Sequence, residues 1–159
     1  MSRPASYKWG GIFFMMKEYK KQLEIRWADL DPNFHVLHSK YYDMGAYVRM
    51  CYLTENGITP AAIQQHQLGP IIFREECVFR KEIKFGDAVS IDLNLLKAKQ
   101  DATRWTMQHH IFIKGDTLAA IVTVDGAWMD LQKRKLGTPP QAFVEAFEAI
   151  PKPQNFEWM

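Results

Sequence analysis

The sequence predicts an α+β fold in which an antiparallel sheet wraps around one long helix. Three observations carry that reading. A segment from Ser39 to about Asn56, with apolar residues almost all round, has the end signals of a buried helix. Strand-like alternation dominates the second half of the chain, over 71–85, 89–95, 104–113 and 118–129. The connections Gly86-Asp87, Asp101-Ala102 and Gly115-Asp116 are short, and short turns join antiparallel neighbours, whereas parallel ones need a long crossover.

The elements follow in order. From Lys17, the residues Leu23, Ile25 and Trp27 alternate with Gln22, Glu24 and Arg26, the pattern of a half-buried strand. A polar loop occupies 29–38. Ser39 is a candidate helix cap and Gly57 a stop. Gly45 in mid-helix costs about 1 kcal/mol relative to Ala, so a close approach to that position is expected. Thr59-Pro60 opens a short helical turn reaching about Gln67. The four alternating segments come next, and a last helix over about 139–149 lies between Pro139-Pro140 and Pro151. A helix of roughly 18 residues is about 27 Å long, a span that a five-stranded sheet can wrap. Such a sheet leaves edges and half a face uncovered, so a homodimer or homotetramer is expected.

Composition narrows the function classes. The 159 residues suit one domain; 47% hydrophobic and 13% aromatic content is globular rather than disordered. A net charge of +2 gives no electrostatic case for nucleic acid. Cys51 and Cys77 lack CxxC or Cys/His spacing, which argues against a disulfide framework or a metal site and for a reducing cytoplasm. The apolar run 12–16 falls far short of the roughly 20 residues that span a bilayer, and no cleavage site follows it. Residues 1–16 read as an extension, 17–150 as the single domain and 151–159 as a C-terminal tail.

The loop holds the most chemistry. Asp29-Leu30-Asp31-Pro32-Asn33-Phe34-His35-Val36 places two carboxylates, a carboxamide and an imidazole at a strand-to-helix junction. The free N–H groups of a helix start can converge on such a volume. This loop, the strand order, and Tyr41 six residues after His35 resemble the hotdog-fold acyl thioesterases. The branch most similar contains 4-hydroxybenzoyl-CoA thioesterase and the plant acyl-ACP thioesterases. Members carry D-x-D-x-x-G/N-x-V or D-x-N-x-H-V-N-N before the central helix. The resemblance covers roughly 17–135, including Leu68-Gly69-Pro70 before a long strand and Phe85-Gly86-Asp87 at its end. It implies a thioester hydrolase acting on an acyl-CoA or acyl-carrier-protein substrate, without metal or redox cofactor, in the cytoplasm and with no membrane or nucleic-acid partner. By position it implies Asp31 as nucleophile or base, Asn33 and His35 as its companions, and the helix start at His38, Ser39 and Tyr41 near the thioester. Two departures are visible: Leu37-His38 stands where paired Asn is common, and the helix Glu of many relatives falls near Gly45-Ala46.

The chemistry asked of these groups is general. Hydrolysis needs a group that attacks or activates water, and donors for the developing oxyanion. Asp31 is the expected base or nucleophile, with His35 holding it or moving a proton and Asn33 orienting water or carbonyl. Asp31-Pro32-Asn33 is equally good turn chemistry, and Asp29 reads as structural. His109 falls on an apolar face and reads as a core or interface residue, while His110 reads as solvated and His66 has no special claim. Tyr41, Tyr42, Tyr47 and Tyr52 are mostly core, and Cys51 is a small filler. Arg74, Arg80, Lys81 and Lys84 could meet coenzyme A phosphates or simply be solvated. Two rivals stand beside the thioesterase: a non-catalytic acyl-CoA-binding protein, and a hotdog hydratase, whose usual D-x-N-P-x-H spacing is one residue longer than Asp31 to His35. Turnover of enoyl-CoA alone would favour the hydratase, and tight binding without turnover the binding protein.

Overall fold

The structure, a computed structural model, describes residues 17–159. The expected extension 1–16 lies outside the described residues. The elements are β1 (Lys20–Leu23), a 3-10 turn (Trp27–Asp29), α1 (Lys40–Glu55), α2 (Pro60–Gln65), β2 (Leu68–Phe79), β3 (Val89–Asp92), β4 (Asn94–Ala98), β5 (Arg104–Ile113), β6 (Thr117–Asp130), β7 (Lys135–Leu136), α3 (Gln141–Glu148) and β8 (Glu157–Trp158).

Antiparallel pairing follows from the short turns. β5 pairs with β6 along its length and with β3 and β4 on its other side. β3 and β4 act as one bent strand broken at Leu93. β1 closes one edge on β3, and β2 lies beyond β6 at the other. The five principal strands therefore run β1, β3–β4, β5, β6, β2, the hotdog arrangement, curled around α1. Among the described residues β7 and β8 add two-residue strands, β8 being parallel to β4 within the segment read as a tail. α3 closes one end of the core: Phe143 and Phe147 pack on Trp128, and Ala146 O accepts the Tyr52 hydroxyl at 2.7 Å.

Four local expectations need correction. The first strand stops at Leu23, and the chain turns so that Trp27 is 70% exposed instead of sharing a face with Ile25. The strand expected to run to Phe85 ends at Phe79, because Arg80 and Lys81 both donate their N–H to Ala119 O and pull the chain off the ladder. Ser39 sits at the helix N-cap but makes no side-chain cap bond; its own backbone is already helical (φ −67°, ψ −22°), whereas capping needs an extended residue. Helix α1 is not buried all round: Tyr41, Met44, Val48, Tyr52 and Leu53 face the core, but Tyr47 and Met50 are exposed.

The buried face of α1 also carries Arg49, which the apolar pattern did not single out. Its Nη1 lies 2.9 Å from His109 Nε2 on β5, and its Nη2 donates to Glu75 Oε1 on β2 at 3.3 Å. Gly45, one turn earlier, makes this possible. A Cβ there would come within 3.1 Å of both Arg49 Nη1 and His109 Cδ2, so side chains, not backbone, need the space. The hydrogen bonds settle the His109 tautomer. Arginine only donates, so Nε2 is the acceptor, and Nδ1–H donates to Asp92 O at 3.0 Å. Burial, aided by the Arg49 charge, pushes the His109 pKa down to about 3. His110, expected in solvent, is half-buried instead and pairs with the Asp92 carboxylate at 2.9 Å, which raises its pKa.

The neutral His109 makes stability depend on pH. In the unfolded chain a histidine takes up its proton near pH 6.5, in the folded one near 3, so the unfolded state binds more protons in between. Stability is therefore lost as pH falls through that window. The expected outcome in urea titrations is a drop from pH 6 to pH 5 that is about 1 kcal/mol larger in wild type than in His109→Gln.

Candidate active site

The loop before α1 is a closed device. Asp31 N donates to His35 O at 2.8 Å and Phe34 N to Asp31 O at 2.9 Å. The Asp31 carboxylate accepts the N–H of Asn33 at 2.8 Å and of His35 at 3.2 Å, both on Oδ1. That is the turn chemistry the sequence allowed, and it leaves Oδ2 without a hydrogen bond from the described residues. Leu30 bridges Val36 across the loop, and Leu37 N donates to Asp29 O at 2.8 Å. A second seam fastens the loop to the segment after β2: His35 bridges Lys84, and Val36 N donates to Ile83 O at 2.8 Å. Ile83 is fully buried, so this seam is anchored in the core.

A cavity of about 680 Å³ opens beside the loop. Asp31, His35, His38 and Tyr41 line it, together with Phe79, Arg80, Lys81, Glu82, Lys84 and Lys114. Asn33 and Ser39 do not. The exposed Asn33 contributes its backbone N–H to Asp31, and its side chain makes no hydrogen bond with the described residues. His35 was expected to hold Asp31 with its ring; its backbone does so, and the ring Nε2 lies 3.1 Å from Glu82 Oε2. Glu82 is thus a site residue that sequence reasoning missed, since it read as the polar face of a long strand. The early end of β2 turns it toward His35. Tyr41 is buried, its ring edge-on to Phe79 at 4.9 Å; burial raises its pKa and keeps the hydroxyl neutral.

The two loop aspartates have separate tasks. Asp29 is buried and receives Arg26 through Nη2 at 2.9 Å and Nε at 3.2 Å, as well as the Arg26 N–H at 2.9 Å. Those hydrogen bonds hold its carboxyl below the usual range. Its stabilisation is present above about pH 4 and is lost as pH falls through the depressed folded value. Asp29→Asn is expected to lower stability by about 1–2 kcal/mol, because the charge-assisted pair is lost. Asp31→Asn, whose amide oxygen can still accept both N–H groups, is expected to stay close to wild type in the same urea denaturation.

Known proteins share this fold. No curated protein matches the chain. Among solved structures, a hypothetical protein from Staphylococcus aureus in complex with CoA is 14% identical, covers 91% of this chain and 95% of its own, and superposes with a TM-score of 0.81. A 1,4-dihydroxy-2-naphthoyl-CoA thioesterase from Synechocystis is 17% identical over 82% of this chain and 96% of its own, with a TM-score of 0.74. A thioesterase from Thermus thermophilus, complexed with coenzyme A and Zn, is 21% identical over 82% of this chain and 91% of its own, with a TM-score of 0.68. These likenesses show a shared hotdog fold. The family model for the thioesterase-like superfamily matches residues 25–147, from just before the Asp31 loop into α3. The chain belongs to the thioesterase-like superfamily.

Proposed function

We propose that the protein is an acyl-CoA or acyl-carrier-protein thioesterase, releasing a free acid and a thiol at the cavity beside the Asp31 loop. The observation that carries this reading is the state of Asp31. One carboxylate oxygen is held by two backbone N–H groups and the other is free, in a cavity shared with the His35 ring and the start of α1. A fixed carboxylate of that kind can activate water or attack directly, and the positive helix end favours the developing oxyanion. Asn33 orders the loop through its backbone, and His35 is placed to carry a proton. His38 and Tyr41 form the substrate-facing start of the helix, while Ser39, expected beside them, stands outside the cavity lining. The structures that share the fold and were solved with CoA or act on a CoA ester support the same reading. Cys51 and Cys77 are free thiols, which fits a cytoplasmic setting.

The rival reading of a non-catalytic binder also has an observation in its favour. The helix position where relatives carry Glu falls near Gly45-Ala46, where no carboxylate stands and a Cβ at Gly45 would crowd Arg49 and His109. Thiol release from a panel of short, long and aromatic acyl-CoAs decides between the two. Wild type is expected to turn over at least one, and Asp31→Asn to be slower by about 10²-fold or more. Binding without turnover in wild type would establish the binder.

The thioesterase works, in this proposal, as a homodimer built on β2. Among the described residues that strand pairs with β6 alone, and Ile72, Phe73, Val78 and Phe79 are exposed along it. Antiparallel pairing of two β2 strands about Glu75 sets Arg74 opposite the partner's Glu76, twice by symmetry, and extends the sheet. Like charge across that seam should break it. Arg74→Glu is expected to shift the protein toward monomer in sedimentation, and adding Glu76→Arg to restore the dimer.

A further inference from the structure

The most exposed large rings in the described chain gather at one place. Trp27, Phe34 and Phe85 are 70%, 63% and 61% exposed, and Trp27 contacts the other two at ring-centroid separations of 6.1 and 6.5 Å. Folding does not account for the cluster. Phe34 has φ +63°, a left-handed conformation that strains the backbone of a bulky residue. Glycine is the residue that adopts such a φ without strain. A strained backbone that also holds an apolar ring in water returns little to the fold beyond a tilted ring contact with Trp27.

The neighbours of these rings belong to the candidate active site. Phe34 precedes His35 and Phe85 follows Lys84; His35 and Lys84 line the cavity, while neither phenylalanine does. The rings therefore sit on the outside of the wall whose inside is the site. Charge along that wall is one-sided in its availability. Arg80, Lys81, Lys84 and Lys114 form no ion pair among the described residues. Of the acids beside them, Glu82 pairs with His35 and Asp87 accepts the Lys84 N–H at 2.8 Å, while Asp31 is held by two N–H groups on Oδ1 alone.

We infer that Trp27, Phe34 and Phe85 form a stacking platform for the adenine base of a CoA-type carrier, whose phosphates meet the unpaired cations of Arg80, Lys81, Lys84 and Lys114. The inference rests on the thioesterase reading and names coenzyme A, rather than a carrier protein, as the thiol carrier. Size favours a base over a protein surface. Three rings at these exposures offer roughly 400 Å², about half of what one partner buries in a stable protein interface. Base-on-aromatic stacking needs only one ring face, and phosphates pair with lysine and arginine. The pantetheine arm spans the rim between the platform and the cavity.

The test uses the full chain, with 3′-phosphoadenosine 5′-diphosphate as probe and acyl-CoA and acyl-pantetheine as paired substrates. Phe34→Gly is the informative variant, since glycine suits φ +63° and the fold is expected to gain stability while losing a ring. Wild type should bind the nucleotide with quenching of indole fluorescence. Phe34→Gly and Trp27→Ala should each weaken that binding about tenfold, as the loss of one stacking contact does. KM for acyl-CoA should rise in parallel, with acyl-pantetheine unchanged. Equal nucleotide affinity in wild type and both variants overturns the platform. So does a loss of turnover confined to acyl-carrier-protein substrates, which would make the cluster a protein docking surface. If neither thioester is turned over, the thioesterase reading fails by itself, and the nucleotide titration still decides the platform.

Discussion

The position of α1 depends on one buried cation. Arg49 lies within the core face of the helix and is held between Glu75 of β2 and His109 of β5. A guanidinium in that place is tolerable only if paired, since an unpaired buried charge costs several kcal/mol. Burial lowers its pKa and Glu75 opposes that shift. Such pairs add little net stability compared with apolar packing; what they contribute is a single permitted arrangement. Rotating α1 would strand Arg49, Glu75 and His109 together. That constraint reaches the opposite helix end, because it determines how Tyr41 meets Phe79 and where the chain entering from the loop must lie.

The loop itself is over-determined. Asp31 closes it from within, the Leu30–Val36 bridge pins its base, and the seam to Ile83 ties it to the core. Because the backbone does this holding, the side chains of His35 and His38 and one oxygen of Asp31 stay available to the cavity. A site built from backbone hydrogen bonds tolerates side-chain variation in the family while keeping the same shape. The second wall is equally local: the turn after β2 is shaped by Gly86 at φ +90° and by Asp87 accepting the Lys84 N–H.

The surface carries the remaining information. Tyr47 and Met50 on α1 and Ile72, Phe73, Val78 and Phe79 on β2 are apolar and uncovered, and β2 has a free edge. Such an edge is a pairing template in any sheet protein. The Trp27 cluster is separate in kind, being small, aromatic and placed beside free cations.

Periodicity alone determined the element order, the antiparallel sheet and the central helix, because alternation and turn residues act over a few positions. The Asp31 loop was legible for the same reason, since Asp-Pro-Asn closes a turn locally. Arg49 and Glu82 were not legible. Arg49 needed His109, sixty residues away, and the space left at Gly45. Glu82 needed β2 to end at Phe79, which the backbone of Ala119 decides from the neighbouring strand. Trp27 read as a core residue until the strand before it stopped short. Partners distant in sequence leave no local period, so tertiary structure alone decided which charges are buried, where strands end and which aromatic rings remain in water.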